Sequence, residues 1–291
     1  MKNDFHGLIV PLITPFNGGK VDFDALGKIM ERCLRGGADA FVALGTTAET
    51  PTLTDEEKVG IFKFVRANSC GKKVIAGVGT NCTASAVGQV KIFEDLGADG
   101  ILAVCPFYNK PPKTGIIAHF CIVAESTRLP VILYDVPSRT GTEIGKDAII
   151  KLRFVHNIIG IKAAYATQGA LAETAELKID GIFDIFGGND LLTVQTLEFG
   201  GVGLISAAAN VIPEFFSGIL KAPPSDRAAL YARGKALVEA LYLETNPVVI
   251  KYAMSKAGLC ENELRLPMCP ISRKNGILLD IIYSDCLKEI L

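Results

Sequence analysis

The sequence is short of imidazole, of paired thiols and of any excess of charge. Its 291 residues hold 3 histidines, 8 cysteines and 30 basic against 31 acidic side chains, for a formal net charge of -1. A chain so nearly neutral lacks the basic field of a nonspecific nucleic-acid binder, although a small local patch stays open. His6, His119 and His156 form no H-x-H or H-x-x-x-H pairing, too little imidazole for a metal-dependent aldolase or hydrolase on this chain. The cysteines include no C-x-x-C and are too sparse for a disulfide-stapled miniature. They read as buried thiols in a reducing compartment. The longest uncharged stretch, residues 74–90, carries Asn, Thr, Ser and Gln and is no membrane span. The opening segment MKNDFHGLIVPLITPF has Lys2, Asp4, Pro11 and Pro15 and lacks the three-part form of a signal peptide. The expectation is a cytoplasmic protein with neither membrane nor nucleic acid as partner.

What is present is enough for a large core: apolar residues make up 49 % and charged residues 21 %. The length admits two domains or one barrel with an appended segment. Eight short apolar runs recur along the chain: LIVPLI (8–13), AFVAL (40–44), VIAGV (74–78), GILAV (100–104), VILYDV (131–136), IIGIK (158–162), DIFGG (184–188) and GVGLIS (201–206). They are continuous rather than alternating, as strands buried on both faces require. Amphipathic segments separate them. Residues 22–35 place Phe23, Leu26, Ile29, Met30 and Cys33 on one side, and Asp22 and Asp24 belong to the helix start. Over 52–66, Thr54 followed by Glu57 forms a capping box. Residues 83–96, with Thr83 as cap and Gly97 as terminator, and 114–128 read as helices, as do 143–153 and 167–178.

Eight strands alternating with helices predict a (β/α)8 barrel, a TIM barrel, with a doubly wound open sheet as the alternative. Periodicity alone cannot show closure. The count of eight favours the barrel, and so does the lack of G-x-G-x-x-G after the first strand. GVG at 77–79 and at 201–203 opens no dinucleotide unit, and no Walker motif occurs. After Pro223-Pro224 the rhythm stops: 226–244 and 247–257 read as helices, and 261–291 as a turn and one more helix. The expected organisation is a catalytic barrel over 1–223 and a C-terminal helical extension over 224–291 packed on it.

Barrel active sites sit at the C-terminal ends of the strands. Lys162 ends the sixth run, where a partly desolvated amine could attack a carbonyl; an ordinary lysine whose head reaches solvent is the other reading. Tyr134 ends the run before it, as a proton-exchanging phenol or a rim tyrosine. Thr46 and Thr47 follow Gly45 in a turn suited to cradling a carboxylate, or simply to capping a helix. Arg139, in Pro-Ser-Arg-Thr-Gly, could clamp a second carboxylate, or be one more surface arginine. With no serine elbow and no Cys-His constellation, metal-free amine catalysis on an acidic carbonyl compound is the chemistry left.

The segments GTTAETPTLT, PFYNKP, ILYDVPSRTG, NIIGIK, NPVVIKYAMSKAGL and LRLPMCPI together resemble the dihydrodipicolinate synthase family, from about residue 5 to 272 or beyond. That family lies within the pyruvate-type Schiff-base lyases, which share the barrel, the lysine and the tyrosine; PSRTG points to the synthase branch. The resemblance implies an imine between Lys162 and pyruvate, no cofactor and no metal. It implies L-aspartate-4-semialdehyde as second substrate and 4-hydroxy-tetrahydrodipicolinate, on the route to diaminopimelate and lysine, as product. Residue by residue, it makes Tyr134 and Thr46 proton carriers, Thr47 a ligand of the pyruvate carboxylate, and Tyr108 a tyrosine lent across a tight dimer interface. Arg139 would hold the semialdehyde carboxylate, while Gly188 and Ile205 would shape the pyruvate pocket. A homotetramer built as a pair of tight dimers is implied as well.

The chain departs from that pattern at three places. Ala48 stands where the family usually has Gly, Ala163 where it has Glu, and Asp135 where it has Asn. An alanine at 48 is tolerable at negative φ and costly otherwise. Ala163 removes a carboxylate and Asp135 introduces one. At the positions matching a lysine-feedback site the chain has Lys58, Ser85 and Phe107 for a histidine, a glutamate and a tyrosine, with Asn81 retained, which implies weak or absent feedback. Two alternatives stand beside the synthase: a sister lyase joining pyruvate to another aldehyde, and a non-catalytic barrel used for binding. Arg139 argues against the first, Lys162 and Tyr134 against the second.

Overall fold

The computed structural model describes residues 4–290, with side chains as far as Ser284. Residues 1–3 and 291, at the outer ends of the two expected segments, lie outside the described residues. Eight parallel strands form a closed barrel: β1 (Gly7–Pro11), β2 (Ala40–Ala43), β3 (Lys73–Val78), β4 (Gly100–Val104), β5 (Val131–Asp135), β6 (Ile158–Ala163), β7 (Asp184–Gly187) and β8 (Gly203–Ile205). Their order is β1-β8-β7-β6-β5-β4-β3-β2. Each lies within a residue or three of an apolar run in the sequence. Closure, which periodicity left open against an open sheet, is thus settled in favour of the barrel. No helix among the described residues is long and apolar enough to cross a membrane.

The chain forms two compact units. One holds residues 71–205 with the first six, and contains β3 to β8. Here β3 pairs with β4 from Ile75↔Gly100 to Val78↔Ala103, and β4 with β5 from Ile101↔Val131 to Val104↔Tyr134. Strands β5 and β6 slip register between Val131 and Ile132, then run Ile132↔Gly160 to Asp135↔Ala163. Gly160 is dictated by its neighbour, since a Cβ there would lie 2.4 Å from the Asp184 carbonyl oxygen. Ile101, Ile132, Leu133, Ile161 and Ile185 are buried, giving the apolar walls that continuous runs predicted.

The other unit joins residues 7–70 to 206–291. It pairs β1 with β2 through Ile9↔Ala40, Val10↔Phe41 and Pro11↔Val42. Helix Phe23–Arg35 starts as expected, with the Asp22 side chain accepting from the Ala25 N–H. Helix Asp55–Ala67 carries the full Thr54/Glu57 capping box. The C-terminal part contributes helices Pro224–Ala240, Val248–Lys256 and Arg273–Ile290. Tyr252 donates its hydroxyl to Asp280, joining the last two.

Several local expectations need correction. Cys82, not Thr83, occupies the cap position of helix Thr83–Asp95; the Thr83 hydroxyl instead meets His119 Nδ1 at 3.0 Å. Helices Thr193–Glu198 and Pro213–Lys221 and the short hairpin Phe16–Asn17/Lys20–Val21 were not anticipated from the sequence. In Pro213–Lys221 a helical period was there to read, with Glu214, Gly218 and Lys221 exposed at i, i+4 and i+7 and Phe215, Phe216 and Ile219 buried between them.

Candidate active site

Within the first unit, the C-terminal ends of β5 and β6 bring a tyrosine and a lysine together. Tyr134 and Lys162 are register partners on adjacent parallel strands, so both side chains leave the same face of the sheet. Lys162 is 6 % exposed and Tyr134 7 %, and Nζ lies 4.3 Å from the centre of the tyrosine ring. An amine held against an aromatic face with little access to water is chemically unlike a lysine snorkelling at a strand end. Gly188 makes room for it: a Cβ there would lie 2.9 Å from Lys162 Cγ and 3.0 Å from Cε. The Gly188 N–H is fixed to the Ala163 carbonyl at 2.9 Å. Ile205 is buried at the end of β8, two strands from β6. The structure therefore brings Lys162, Tyr134 and Gly188 together.

It does not bring Tyr108 to them. That ring is 87 % exposed, and its backbone is held at φ 69°, with Lys110 at 44°. Two non-glycine residues in the left-handed region within three positions make a strained loop. Asn109 helps to hold it, donating to the Asn81 carbonyl at 2.9 Å. Arg139 is exposed on the single helical turn Pro137–Thr140; the Arg139 and Thr140 N–H groups return to the Val136 carbonyl, and the Gly141 N–H to that of Pro137.

The next position on each of the two strands faces the other way. Asp135 and Ala163 are register partners, and Asp135 is fully buried. Its carboxylate accepts from the Ile144 N–H at 3.1 and 3.2 Å and from the Tyr165 hydroxyl at 3.0 Å. Burial pushes its pKa up to about 6 against the pull of those two donors. Burial, with the nearby Asp135 charge, also raises the Tyr165 phenol, which stays a donor at neutral pH.

In the second unit Thr46 and Thr47 open the 3₁₀ turn Thr46–Ala48, with Gly45 at its cap. The Ala48 and Glu49 N–H groups bond back to the Gly45 and Thr46 carbonyls; the Thr46 and Thr47 amides begin the turn, ahead of any carbonyl it could offer them. Ala48 lies within this turn, and the left-handed position falls on the next residue, Glu49, at φ 53°. The methyl at 48 is therefore tolerated, and the strain sits one residue on.

Sequence reasoning missed what holds that turn. Asn246 Nδ2 donates to the Thr47 hydroxyl oxygen at 3.0 Å. Glu49 is buried against Lys251, whose Nζ lies 2.5 Å from it and donates to the Glu263 carbonyl at 2.8 Å. Arg265 adds its backbone N–H to Glu49 at 3.0 Å and its guanidinium to Glu57. Both cations also face the Phe16 ring. Asn246 and Lys251 lie in the NPVVIKYAMSKAGL segment, so a signal was present, but a residue some 200 positions from the turn offers no spacing rule to connect them. Among the described residues no three His, Cys, Asp or Glu side chains gather as a metal-holding group.

Comparison with known proteins places this geometry in context. The model of the dihydrodipicolinate synthetase family matches residues 4–280. The 4-hydroxy-tetrahydrodipicolinate synthase of Alkaliphilus oremlandii is 40 % identical over 278 residues, covering 93 % of this chain and 95 % of its own. That of Methanococcoides burtonii is 38 % identical over 291 residues, covering 98 % of each. The crystal structure of dihydrodipicolinate synthase from Aquifex aeolicus superposes with a TM-score of 0.93 at 37 % identity, covering 99 % of both chains.

Proposed function

Because the chain belongs to the dihydrodipicolinate synthetase family, we propose that it condenses pyruvate with L-aspartate-4-semialdehyde to 4-hydroxy-tetrahydrodipicolinate, with Lys162 as the imine-forming amine. The observation that carries the reading is the pairing of Tyr134 with Lys162, with Nζ 4.3 Å from the ring centre in a nearly water-free setting.

The chemistry follows from an amine in that position. Neutral Nζ adds to the keto carbon of pyruvate, and loss of water leaves a cationic imine. Its charge withdraws electrons from the methyl carbon, which then gives up a proton and becomes the nucleophilic end of an enamine. That carbon attacks the aldehyde, forming the new C–C bond, and the aldehyde oxygen takes a proton to become a hydroxyl. The semialdehyde's own amine then adds to the imine carbon, closes the ring and expels Nζ. One pyruvate and one semialdehyde give one cyclic product and one water. No metal is required, because the iminium is itself the electron sink.

Tyr134 shuttles the protons and Thr46 relays them; Thr47 binds the pyruvate carboxylate, and Gly188 and Ile205 shape the pocket. Arg139 holds the carboxylate of the semialdehyde, where a bidentate guanidinium suits an acidic aldehyde better than a polyol. Tyr108 completes the relay from a second copy in a homotetramer of two tight dimers. Its exposed ring on a strained loop supports that role, since an aromatic held out at such a cost has something outside its own chain to meet. Residues 1–223 are read as the catalytic barrel and 224–291 as its helical extension. The seven cysteines among the described side chains are free thiols, which supports a reducing compartment, the cytoplasm.

The test is mass-resolved product formation from pyruvate and L-aspartate-4-semialdehyde with no metal added, alongside borohydride trapping. Cyclised product and a pyruvate adduct on Lys162 are expected. An adduct without product would move the reading to a sister lyase with another aldehyde, and no adduct would end it.

A further inference from the structure

One buried group in the first unit takes no part in the reaction so far described. Asp135 follows Tyr134 directly, yet its carboxylate points away from Lys162 and into the root of the loop that carries Arg139. That loop leaves β5 at Val136, makes the turn Pro137–Thr140 and returns at Ile144, whose N–H is bonded to both carboxylate oxygens. The carboxylate thus closes the loop on itself across nine residues. The Thr140 hydroxyl, bonded to the Val136 carbonyl at 3.2 Å, pins the same loop midway. The second donor, Tyr165, lies three residues beyond Lys162, and its carbonyl accepts from Asn189 Nδ2 at 2.9 Å, beside Gly188. Ala164 donates its N–H to the Asp135 carbonyl at 3.0 Å. One fully buried carboxylate therefore joins the Arg139 loop to the strand end that bears the lysine. Ala163, its register partner, brings no charge to that spot.

We propose that Asp135 is a positioning residue for the second substrate: through Ile144 and Tyr165 it fixes the loop, and hence the reach of Arg139, while leaving imine formation at Lys162 alone. This rests on the reading of Arg139 as the clamp for the semialdehyde carboxylate.

An ionised carboxylate accepts from both donors in charge-assisted bonds, and protonation weakens both. The groups facing it are few. Tyr165 and the Ile144 N–H donate to it. Cys105, pushed up to about 12 mainly by burial, is a neutral thiol. Glu143 raises the carboxyl's pKa and Lys113 lowers it, and these two pair with each other at 3.6 Å. With burial dominant and a pKa of about 6, the anchor loosens as pH falls through that value.

The experiment measures KM for each substrate, kcat and borohydride trapping of pyruvate between pH 5.5 and 8, in the wild type, Asp135→Ala, Asp135→Asn, Tyr165→Phe and Arg139→Ala. Asp135→Ala should raise KM for the semialdehyde about tenfold at pH 8, the size of effect expected for a lost buried acceptor. Trapping and KM for pyruvate should hold. Asp135→Asn, which keeps one acceptor for Ile144, should recover most of that loss and abolish the rise in semialdehyde KM that the wild type shows below pH 6. Should Asp135→Ala fail to fold, Tyr165→Phe carries the same expectation at smaller size. An unchanged semialdehyde KM in Asp135→Ala and Tyr165→Phe, beside a raised one in Arg139→Ala, would overturn the inference and leave the function intact. Equal loss of both substrates and of trapping would reduce Asp135 to a structural role. An unchanged KM in Arg139→Ala would instead count against the clamp itself.

Discussion

Lys162 and Tyr134 face one another because two parallel strands share a register, Tyr134↔Lys162, from Ile132↔Gly160 onward. The slip between Val131 and Ile132 is what brings them level; without it the lysine would lie one position off and on the opposite face. The pairing predicts two different losses. Lys162→Ala should show no pyruvate adduct in the intact mass after borohydride. Tyr134→Phe keeps the amine and the ring but removes the hydroxyl, so the adduct should still form while kcat falls by roughly 10²–10⁴. Equal trapping and unchanged turnover in Tyr134→Phe would remove the phenol from the proton path.

Gly188 is a stringent position because its missing side chain is the space used by the lysine stem. In Gly188→Ala the new Cβ would press on Lys162 Cγ and Cε at 2.9 and 3.0 Å. The stem is flexible, so the lysine should shift and the fold survive, at a cost of about 1–3 kcal/mol from overpacking. Pyruvate KM should rise more than semialdehyde KM, because a shifted stem carries with it the amine proposed to meet pyruvate. Steady-state kinetics with each substrate varied in turn would show it.

The barrel was legible because burial on both faces writes continuous apolar runs, and eight of them came at a regular beat. Tyr134 and Lys162 stood out because they end neighbouring runs, and the structure brings them together with Gly188. Supports that act over long sequence distances were not legible. Nothing in the spelling of Asn246 says that its amide reaches Thr47. Asp135 and Ala163 stood out singly as departures from the family, a carboxylate gained and a carboxylate lost. Their shared register step makes them one relocation across a strand pair, and only the sheet could show it. Tyr165, which completes that relocation, is an unremarked tyrosine in the sequence.

Lysine feedback should be weak or absent. Lys58 supplies a cation where lysine-inhibited relatives have a histidine, and its Nζ is engaged by Asp55 at 2.9 Å. Ser85 offers no carboxylate for an incoming ammonium, and Phe107 no hydroxyl. The added cation at Lys58 and the missing carboxylate at Ser85 both oppose a ligand that carries two ammonium groups. Initial rates titrated with L-lysine should stay near the uninhibited value through the submillimolar range; half-inhibition there would sink the expectation.

The buried pair Lys251–Glu49 sits behind the Thr46–Ala48 turn, and its removal from one side should be felt in stability before chemistry. Burial draws the Lys251 pKa down and the Glu49 charge opposes that, so the ammonium persists only while its partner does. Lys251→Met strands Glu49 at φ 53° with the Arg265 N–H as a remaining donor. A loss of about 3–5 kcal/mol is expected for breaking such a pair from one side. Lys251→Met combined with Glu49→Gln should recover part of it. Thermal or urea unfolding of the two variants would check this, and a single variant as stable as wild type would contradict it.

Asp135 should show the opposite sign. Its folded pKa, about 6, lies above its ordinary 3.8, so the protonated form is the one the fold prefers. Its contribution is fully present below about pH 4 and is lost as pH rises through 6. A penalty on the order of 3 kcal/mol then weighs on the ionised form at neutral pH. Asp135→Asn carries no such charge, and the Tyr165 hydroxyl can turn to accept from its amide. The variant's unfolding free energy, measured against wild type from pH 4 to 8, should gain with rising pH and level off above about 6.5. That gain in stability would accompany the altered pH dependence of semialdehyde binding, a trade of stability for placement of Arg139. A constant difference across the range would mean that the carboxyl does not titrate there, and the pH dependence expected of the Arg139 loop would have to come from another group.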